Sequence, residues 1–177
     1  PLSVLQVNKL YHPWIGGVES HVQQLSEALF QRKYAISVLC CNQSTHSEDT
    51  TINSVPVYKA SALFRYLSLP ISLAFFKRLK HSSQDVIHFH LPNPLAVIAA
   101  LLLNPKGKWV VTWHADITRQ WFILLFYRFF LLRFLARADV IITTSPNLAE
   151  SSAFLSKFSS KVHIVPLSID ANQYTVS

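Results

Sequence analysis

The sequence predicts an α/β protein: a three-layer sandwich around a mostly parallel sheet of about seven strands. Three observations carry that prediction. Short apolar runs of strand length alternate along the chain with stretches of helical periodicity. The strand runs are nearly continuous in apolar residues, as expected where helices cover both faces of a sheet. Glycine, histidine and acidic residues gather where those runs end, at Tyr11–Glu19, His88–Asn93 and Trp113–Asp116. In open parallel sheets, ligands bind beyond the carboxyl ends of the strands.

Taken in order, Leu2 to Asn8 is the first buried strand. A turn containing Gly16-Gly17 then opens a helix that runs to about Arg32, with Val18, Val22, Leu25 and Leu29 at helical spacing and polar residues between them. Tyr34 to Cys41 is a second strand. Asn42 to Asn53 is polar and reads as a loop, and Val55 to Ala60 is a third strand. Asp85 to His90 is a fourth strand, followed by Leu91-Pro-Asn-Pro94 and an apolar helix from about Leu95 to Leu103. Lys108 to Trp113 is a fifth strand, and a long aromatic helix then runs to about Arg137. Asp139 to Thr144 is a sixth strand. Ser145-Pro146 supplies an N-cap and a first-position proline for a helix to about Phe158. Lys161 to Val165 is the seventh strand.

The chain has 177 residues, half of them hydrophobic, which suits one globular domain with a substantial core. Its net charge of +7 points to anionic partners such as phosphates, nucleotide sugars or acidic lipid surfaces. Nucleic acid is not expected, because the basic residues form no long run and no nucleic-acid module signature is present. The only cysteines, Cys40 and Cys41, are neighbours on a strand and point to opposite faces, so no disulfide framework is expected and a reducing cytoplasm is the default. The first residues lack the basic region of a signal peptide. The absence of any methionine points to a piece of a longer product.

The stretch Tyr11-His12-Pro13-Trp14-Ile15-Gly16-Gly17-Val18-Glu19-Ser20-His21 offers a strand-to-helix turn where the backbone can approach a ligand with no Cβ in the way. The N–H groups of the new helix favour an anion there, and a plain turn is the alternative. It matches neither the dinucleotide fingerprint nor a phosphate loop. Glu19 sits where the helix dipole favours a carboxylate, with or without a function. His12 and Trp14 line the same loop as a candidate acceptor wall. His88 and His90 share a strand face and, with His114, offer a metal-ligand option, but no acidic cluster or cysteine set accompanies them. His114 ends a strand, where it can hydrogen-bond a phosphate or sugar hydroxyl. Asp116 can bind a hydroxyl or fix the tautomer of His114.

Gly16-Gly-Val-Glu19 after the first strand, His88-Phe-His90 closing the fourth, and Thr112-Trp-His-Ala-Asp116 after the fifth together resemble the N-terminal domain of retaining, two-domain glycosyltransferases of the group 1, family 4 type. That group includes sucrose synthases, lipopolysaccharide glucosyltransferases and phosphatidylinositol mannosyltransferases. The resemblance spans essentially all 177 residues in order. It implies a Rossmann-like domain over residues 1–165, one half of a GT-B fold, with the active site between two facing domains. It implies a nucleotide diphosphate sugar as donor, no metal or other cofactor, and a sugar or lipid-linked acceptor. It implies that His114 is the catalytic candidate beside the transferred sugar and diphosphate. Gly16 and Gly17 would meet the diphosphate, and Glu19, His90, Asp116 and His12 would serve substrate hydroxyls, with His88 structural.

Pro166-Leu-Ser-Ile-Asp170 resembles the segment with which this group crosses to its second domain, except that Leu167-Ser168 stands where Asn-Gly is commonest. Residues 166–177 are therefore read as the start of an interdomain linker. The nucleotide-binding residues of the second domain have no match here, which implies a chain that is inactive alone. The alternative is a non-catalytic, membrane-recruiting subunit of a split glycosyltransferase that docks a separate nucleotide-binding partner. Two basic-aromatic stretches bear on membranes. In Leu63 to Lys80, the residues Arg65, Lys77, Arg78 and Lys80 suggest peripheral contact with the inner face of an anionic membrane. In Trp121 to Leu135, Arg128 and Arg133 interrupt the apolar run, so core packing is expected and a membrane span is not.

Overall fold

The computed structural model of the chain describes residues 1–62, 64–66, 69–116 and 121–167, and among them the side chains of 64–66, 69–71 and 121–126 are not described. Strand β1 (Ser3–Val7) leads to α1 (Gly17–Gln31) and β2 (Ala35–Cys41). Next come β3 (Glu48–Ile52), β4 (Val55–Ala60), a short hairpin of β5 (Phe64–Tyr66) and β6 (Leu69–Ile71), and α2 (Leu73–Lys80). The second half runs β7 (Val86–Leu91), α3 (Pro94–Leu103), β8 (Lys108–Trp113), α4 (Trp121–Arg137) and β9 (Val140–Thr143). It ends in α5 (Pro146–Ser151), a 3-10 segment (Leu155–Lys161) and β10 (Val162–Ile164).

The main sheet has eight strands in the order β10-β9-β8-β7-β1-β2-β4-β3. Every neighbouring pair is parallel except β3 with β4. Strands β1, β2 and β4 step one way from the centre, and β7, β8, β9 and β10 step the other way. The direction reverses between β1 and β7, which is where a doubly wound sheet opens its ligand crevice. The fold class is as expected; the main sheet has one strand more than the seven foreseen, and the β5–β6 hairpin and α2 occupy a stretch to which the sequence reading assigns no strand or helix.

The extra strand is β3, inside the stretch read as a loop. Glu48-Asp-Thr-Thr-Ile52 has a single apolar residue, because it lies at the sheet edge and is mostly exposed. It turns into β4 through Asn53-Ser54, both at positive φ (47° and 70°), as a tight hairpin requires. The helix expected from 146 to 158 is also corrected. It breaks at Ser152, which takes extended backbone (φ −74°, ψ 116°) and donates its hydroxyl to Asp116 at 2.8 Å. The turn before β8 needs Gly107, whose φ is 107° and whose Cβ would collide with the carbonyl oxygen of Gln84.

Two apolar layers flank the sheet. On one face Leu5, Val7, Ile87, Phe89, Leu91, Trp109, Val111 and Trp113 pack with residues of α2, α3 and α4 in one cluster. On the other face Val4, Ile36, Val38 and Val57 pack beneath α1 at Val22. Cys40 joins the α1 side and Cys41 the opposite side, as adjacent strand residues must. Caps fix the helix starts: Ser72, Asn93 and Ser145 each accept a backbone N–H three residues on.

Candidate functional site

Strand alternation puts Gln6 of β1, His88 and His90 of β7 and Thr112 of β8 on the α1 face of the sheet. The parallel register sets Gln6 beside His88 and His90 beside Thr112. All four are buried, Gln6 and His90 completely. Buried polar groups need partners, and these find one another. His88 Nε2 meets the Thr112 hydroxyl at 2.7 Å. His90 is bonded through both ring nitrogens: Nε2 to Gln6 Oε1 at 2.8 Å, and Nδ1 to His114 Nε2 at 3.2 Å. With the Gln6 amide oxygen facing His90, the imidazole Nε2–H donates to it, so Nδ1 accepts from the Nε2–H of His114. This leaves the His114 Nδ1 as an acceptor.

A third imidazole joins from α1. The His21 ring centroid lies 5.9 Å from that of His90 and 5.3 Å from that of His114, edge-on to both. One ring nitrogen from each of His21, His90 and His114 falls within 4.8 Å of the others. His88, paired with His90 in the metal-ligand option and otherwise expected to be structural, is turned to Thr112. His21 had no assigned role in the sequence, yet a signal was present. It lies on the inward stripe of α1 between Val18 and Val22, the polar member of an apolar face.

Burial governs the charge of these groups. It lowers the pKa of His88 to about 3 and of His114 to about 4, with the positive charge of His21 adding to both effects and that of His114 adding at His88. His90 is held well below its ordinary value and His21 is lowered, each first by burial. At neutral pH the cluster is therefore uncharged, with ring lone pairs available to accept hydrogen bonds.

Above the histidines, α1 begins at the expected glycine pair. Gly16 is extended (φ −157°, ψ 165°), a conformation open to any residue, so the pair is not there for a left-handed turn. What matters is room. A Cβ on Gly17 would meet nothing within 4 Å, and one on Gly16 would meet only the flexible carboxylate of Glu19. The first intrahelical bond is from Ser20 N–H to Gly16 O at 2.9 Å, so the N–H groups of Gly17, Val18 and Glu19 precede the helical ladder and face outward. Glu19 folds back over Gly16 with its charge in the first turn, where the dipole favours it.

The remaining expected residues are dispersed. Asp116 does not hold His114: its Oδ1 accepts from the Trp113 indole N–H at 2.9 Å and from the Ser152 hydroxyl at 2.8 Å. That ties the loop after β8 to the start of the 3-10 segment. His12 is exposed, in the same loop as Trp14 (47% exposed) and Ile15 (93% exposed). Lys77, Arg78 and Lys80 form the basic last turn of α2, at the end that leads into the start of β7 and so away from the carboxyl edge. Arg78 stacks over the Tyr58 ring at 4.7 Å and lies 3.8 Å from Asp49, while Lys77 and Lys80 are exposed. The side chain of Arg65 and residues 168–170 of the tail motif lie outside the described residues. Among the described residues, no helix is long and apolar enough to cross a membrane.

Residues 15–173 match Glycosyltransferase Family 4. The chain is 32% identical over 172 residues to the O-antigen chain mannosyltransferase C of Escherichia coli, covering 96% of this chain and 46% of that protein. It is 28% identical over 176 residues to the D-rhamnosyltransferase WbpZ of Pseudomonas aeruginosa, covering 98% of this chain and 46% of that protein. The chain thus spans about half the length of these curated relatives. Among solved structures, sucrose-phosphate synthase from Thermosynechococcus elongatus superposes with a TM-score of 0.70 at 16% identity, over 97% of this chain and 49% of that one. HepE of Anabaena in complex with UDP-glucose superposes with a TM-score of 0.68 at 14% identity, over 100% of this chain and 47% of that one. The match over residues 15–173 places this chain in glycosyltransferase family 4, and the fold built on this sheet order is that of the superposed structures.

Proposed function

We propose that this chain is the acceptor-side domain of a retaining glycosyltransferase that moves a mannose-type hexosyl group from a nucleotide diphosphate sugar to a growing surface polysaccharide or a lipid-linked acceptor. The sugar class follows the mannosyl- and rhamnosyltransferase names of the relatives. The observation that carries the proposal is the meeting, at one sheet edge, of a glycine-led helix start, open at Gly17, with the Gln6–His90–His114 chain.

In the transfer, the bond from the anomeric carbon to the leaving phosphate oxygen breaks. A bond from the acceptor hydroxyl oxygen forms, and the acceptor proton passes to the departing phosphate. Developing negative charge on that phosphate is met by the outward N–H groups at Gly17 and Val18, which are fixed before the reaction and need no reorganisation. His114 is neutral and bonded through Nε2, so its Nδ1 accepts from a hydroxyl of the transferred sugar and holds the ring in place. His90, sealed between Gln6 and His114, sets the orientation of His114. Glu19 and the exposed His12 and Trp14 border the path of an acceptor. No metal enters these steps.

A facing, nucleotide-binding domain completes the crevice, and the isolated chain is expected to transfer nothing. The protein works at the cytoplasmic side of the envelope. Lys77 and Lys80, exposed beside Leu73 (70% exposed), together with Arg65, are the residues we assign to peripheral contact with an anionic membrane.

The test is sugar release from UDP- and GDP-linked donors by the full-length protein, beside the same protein with His114→Ala. A fall of at least tenfold, about 1.4 kcal/mol in barrier, is expected. Activity indifferent to His114 would remove it from the mechanism, and no activity with any donor would overturn the transferase proposal.

A further inference from the structure

We propose that His21, His90 and His114 form a binding site for one first-row transition-metal ion of the zinc class. Three elements supply the ligands: α1, the end of β7 and the residue after β8. The spacing is that of a coordination shell. Two nitrogens on a tetrahedral ion, each about 2.0–2.1 Å from it, stand about 3.3–3.4 Å apart. His90 Nδ1 and His114 Nε2 are 3.2 Å apart, so an ion replacing the single proton they share needs the two rings to turn toward it with little change in their separation. The third nitrogen, on His21, lies within 4.8 Å of both and closes by rotation of a half-buried side chain.

The surroundings are those of a metal histidine. The outer nitrogen of a ligating imidazole ordinarily donates to a carboxylate or carbonyl, which fixes its tautomer. His90 has that partner in Gln6 Oε1 at 2.8 Å. The neighbouring carboxylates do not complete an oxygen cage. Asp116 is held by Trp113 and Ser152, and Glu19 lies over Gly16. A set of three imidazoles selects zinc, copper or nickel rather than magnesium or calcium. The fourth position is left to water.

Binding does not depend on the transferase proposal. If that proposal holds, an ion on His114 ties up the ring needed by the sugar, so the metal is an inhibitor and not a cofactor.

The experiment is a titration of the chain with Zn2+ against a chromophoric chelator, paired with the visible spectrum of the Co2+ form. One ion per chain and the strong absorption of tetrahedral Co2+ are expected. His21→Gln and His114→Gln should each weaken binding by at least about tenfold, a loss no smaller than that from removing an outer-shell partner. His81→Ala, on the far side of the sheet at the end of α2, should leave it unchanged. His21 is half-buried on a helix, so His21→Gln keeps the fold, and unchanged circular dichroism checks this. Absence of binding, or binding equally tight in folded His21→Gln, overturns the site. Because occupancy is read directly, either result leaves the transferase test independent.

Discussion

The two faces of the central strands differ in kind although the same residues alternate to make them. From β7 and β8, one face takes Ile87, Phe89, Leu91, Trp109, Val111 and Trp113, all apolar and all buried. The other takes His88, His90, Val110 and Thr112, with Gln6 from β1 alongside. On the first face, Trp109, Phe89 and Phe134 pack ring against ring, with centroids 5.1 to 5.5 Å apart. On the second, imidazoles take the place of those rings. One face therefore holds its shape through dispersion and displaced water, and the other adds to its apolar residues a set of hydrogen bonds among Gln6, His88, His90, Thr112 and His114 that leaves the buried Gln6 amide nitrogen without a partner. The second arrangement is less stabilising, and it is the one that leaves polar atoms at the sheet edge for a ligand.

The contrast can be broken first on the apolar face. Trp109→Ala removes a fully buried ring and its indole N–H bond to the Pro105 carbonyl. It should cost about 3–5 kcal/mol, read as a lower urea midpoint. A loss below about 1 kcal/mol would show that this face is not the main support of the fold.

Of the two faces, the polar one is where acidification acts first, through its histidines. His21, His88, His90 and His114 all have folded pKa values below the ordinary 6.5. A lowered histidine contributes stability that is complete above the unfolded value and is lost as pH falls, because the unfolded chain then binds more protons. The loss should begin near pH 6.5 and continue toward about 4 for His114 and about 3 for His88. Each fully buried imidazole adds a slope of up to about 1.4 kcal/mol per pH unit in that window. Denaturation midpoints measured from pH 7.5 downward check this, and His88→Asn should flatten the curve. An unchanged slope in that variant would mean that burial does not govern its titration.

The smallest stability effect is expected at Gly17→Ala. The Cβ meets open space and alanine is the better helix former, so stability should hold or rise by up to about 1 kcal/mol. If the proposed function holds, transfer activity of the full-length protein should fall, because the methyl group would stand where a diphosphate is proposed to approach the backbone. Loss of stability instead would show that the glycine serves the fold and not the ligand.

Much of the fold was legible because its signals are local. Seven of the eight sheet strands are apolar runs of the right length. Asn93-Pro94 and Ser145-Pro146 announce helix starts that the side chains then cap. What escaped lacked such signals. Strand β3 is polar because only one of its sides is hydrogen-bonded and little of it is buried. The break at Ser152 comes from Asp116, whose approach no local pattern records. His21 was visible as a polar member of an inward stripe, but not its neighbours, since helical phase gives a direction and not a destination.

The sequence alone determined the order of seven of the main-sheet strands and of α1, α3 and α4, the capped start of α5 at Ser145, the glycine-led turn into α1 and the placing of His90 and His114 at strand ends. These follow from periodicity and backbone preference within a few residues. The tertiary structure alone decided that β1 lies between β2 and β7, that Gln6 therefore sits beside β7, and that His21 rather than His88 joins His90 and His114. It also decided that Asp116 turns to Ser152 and not to His114. Strand order and register are set by packing the whole apolar face at once, and that sum over distant residues is written in no single stretch of chain.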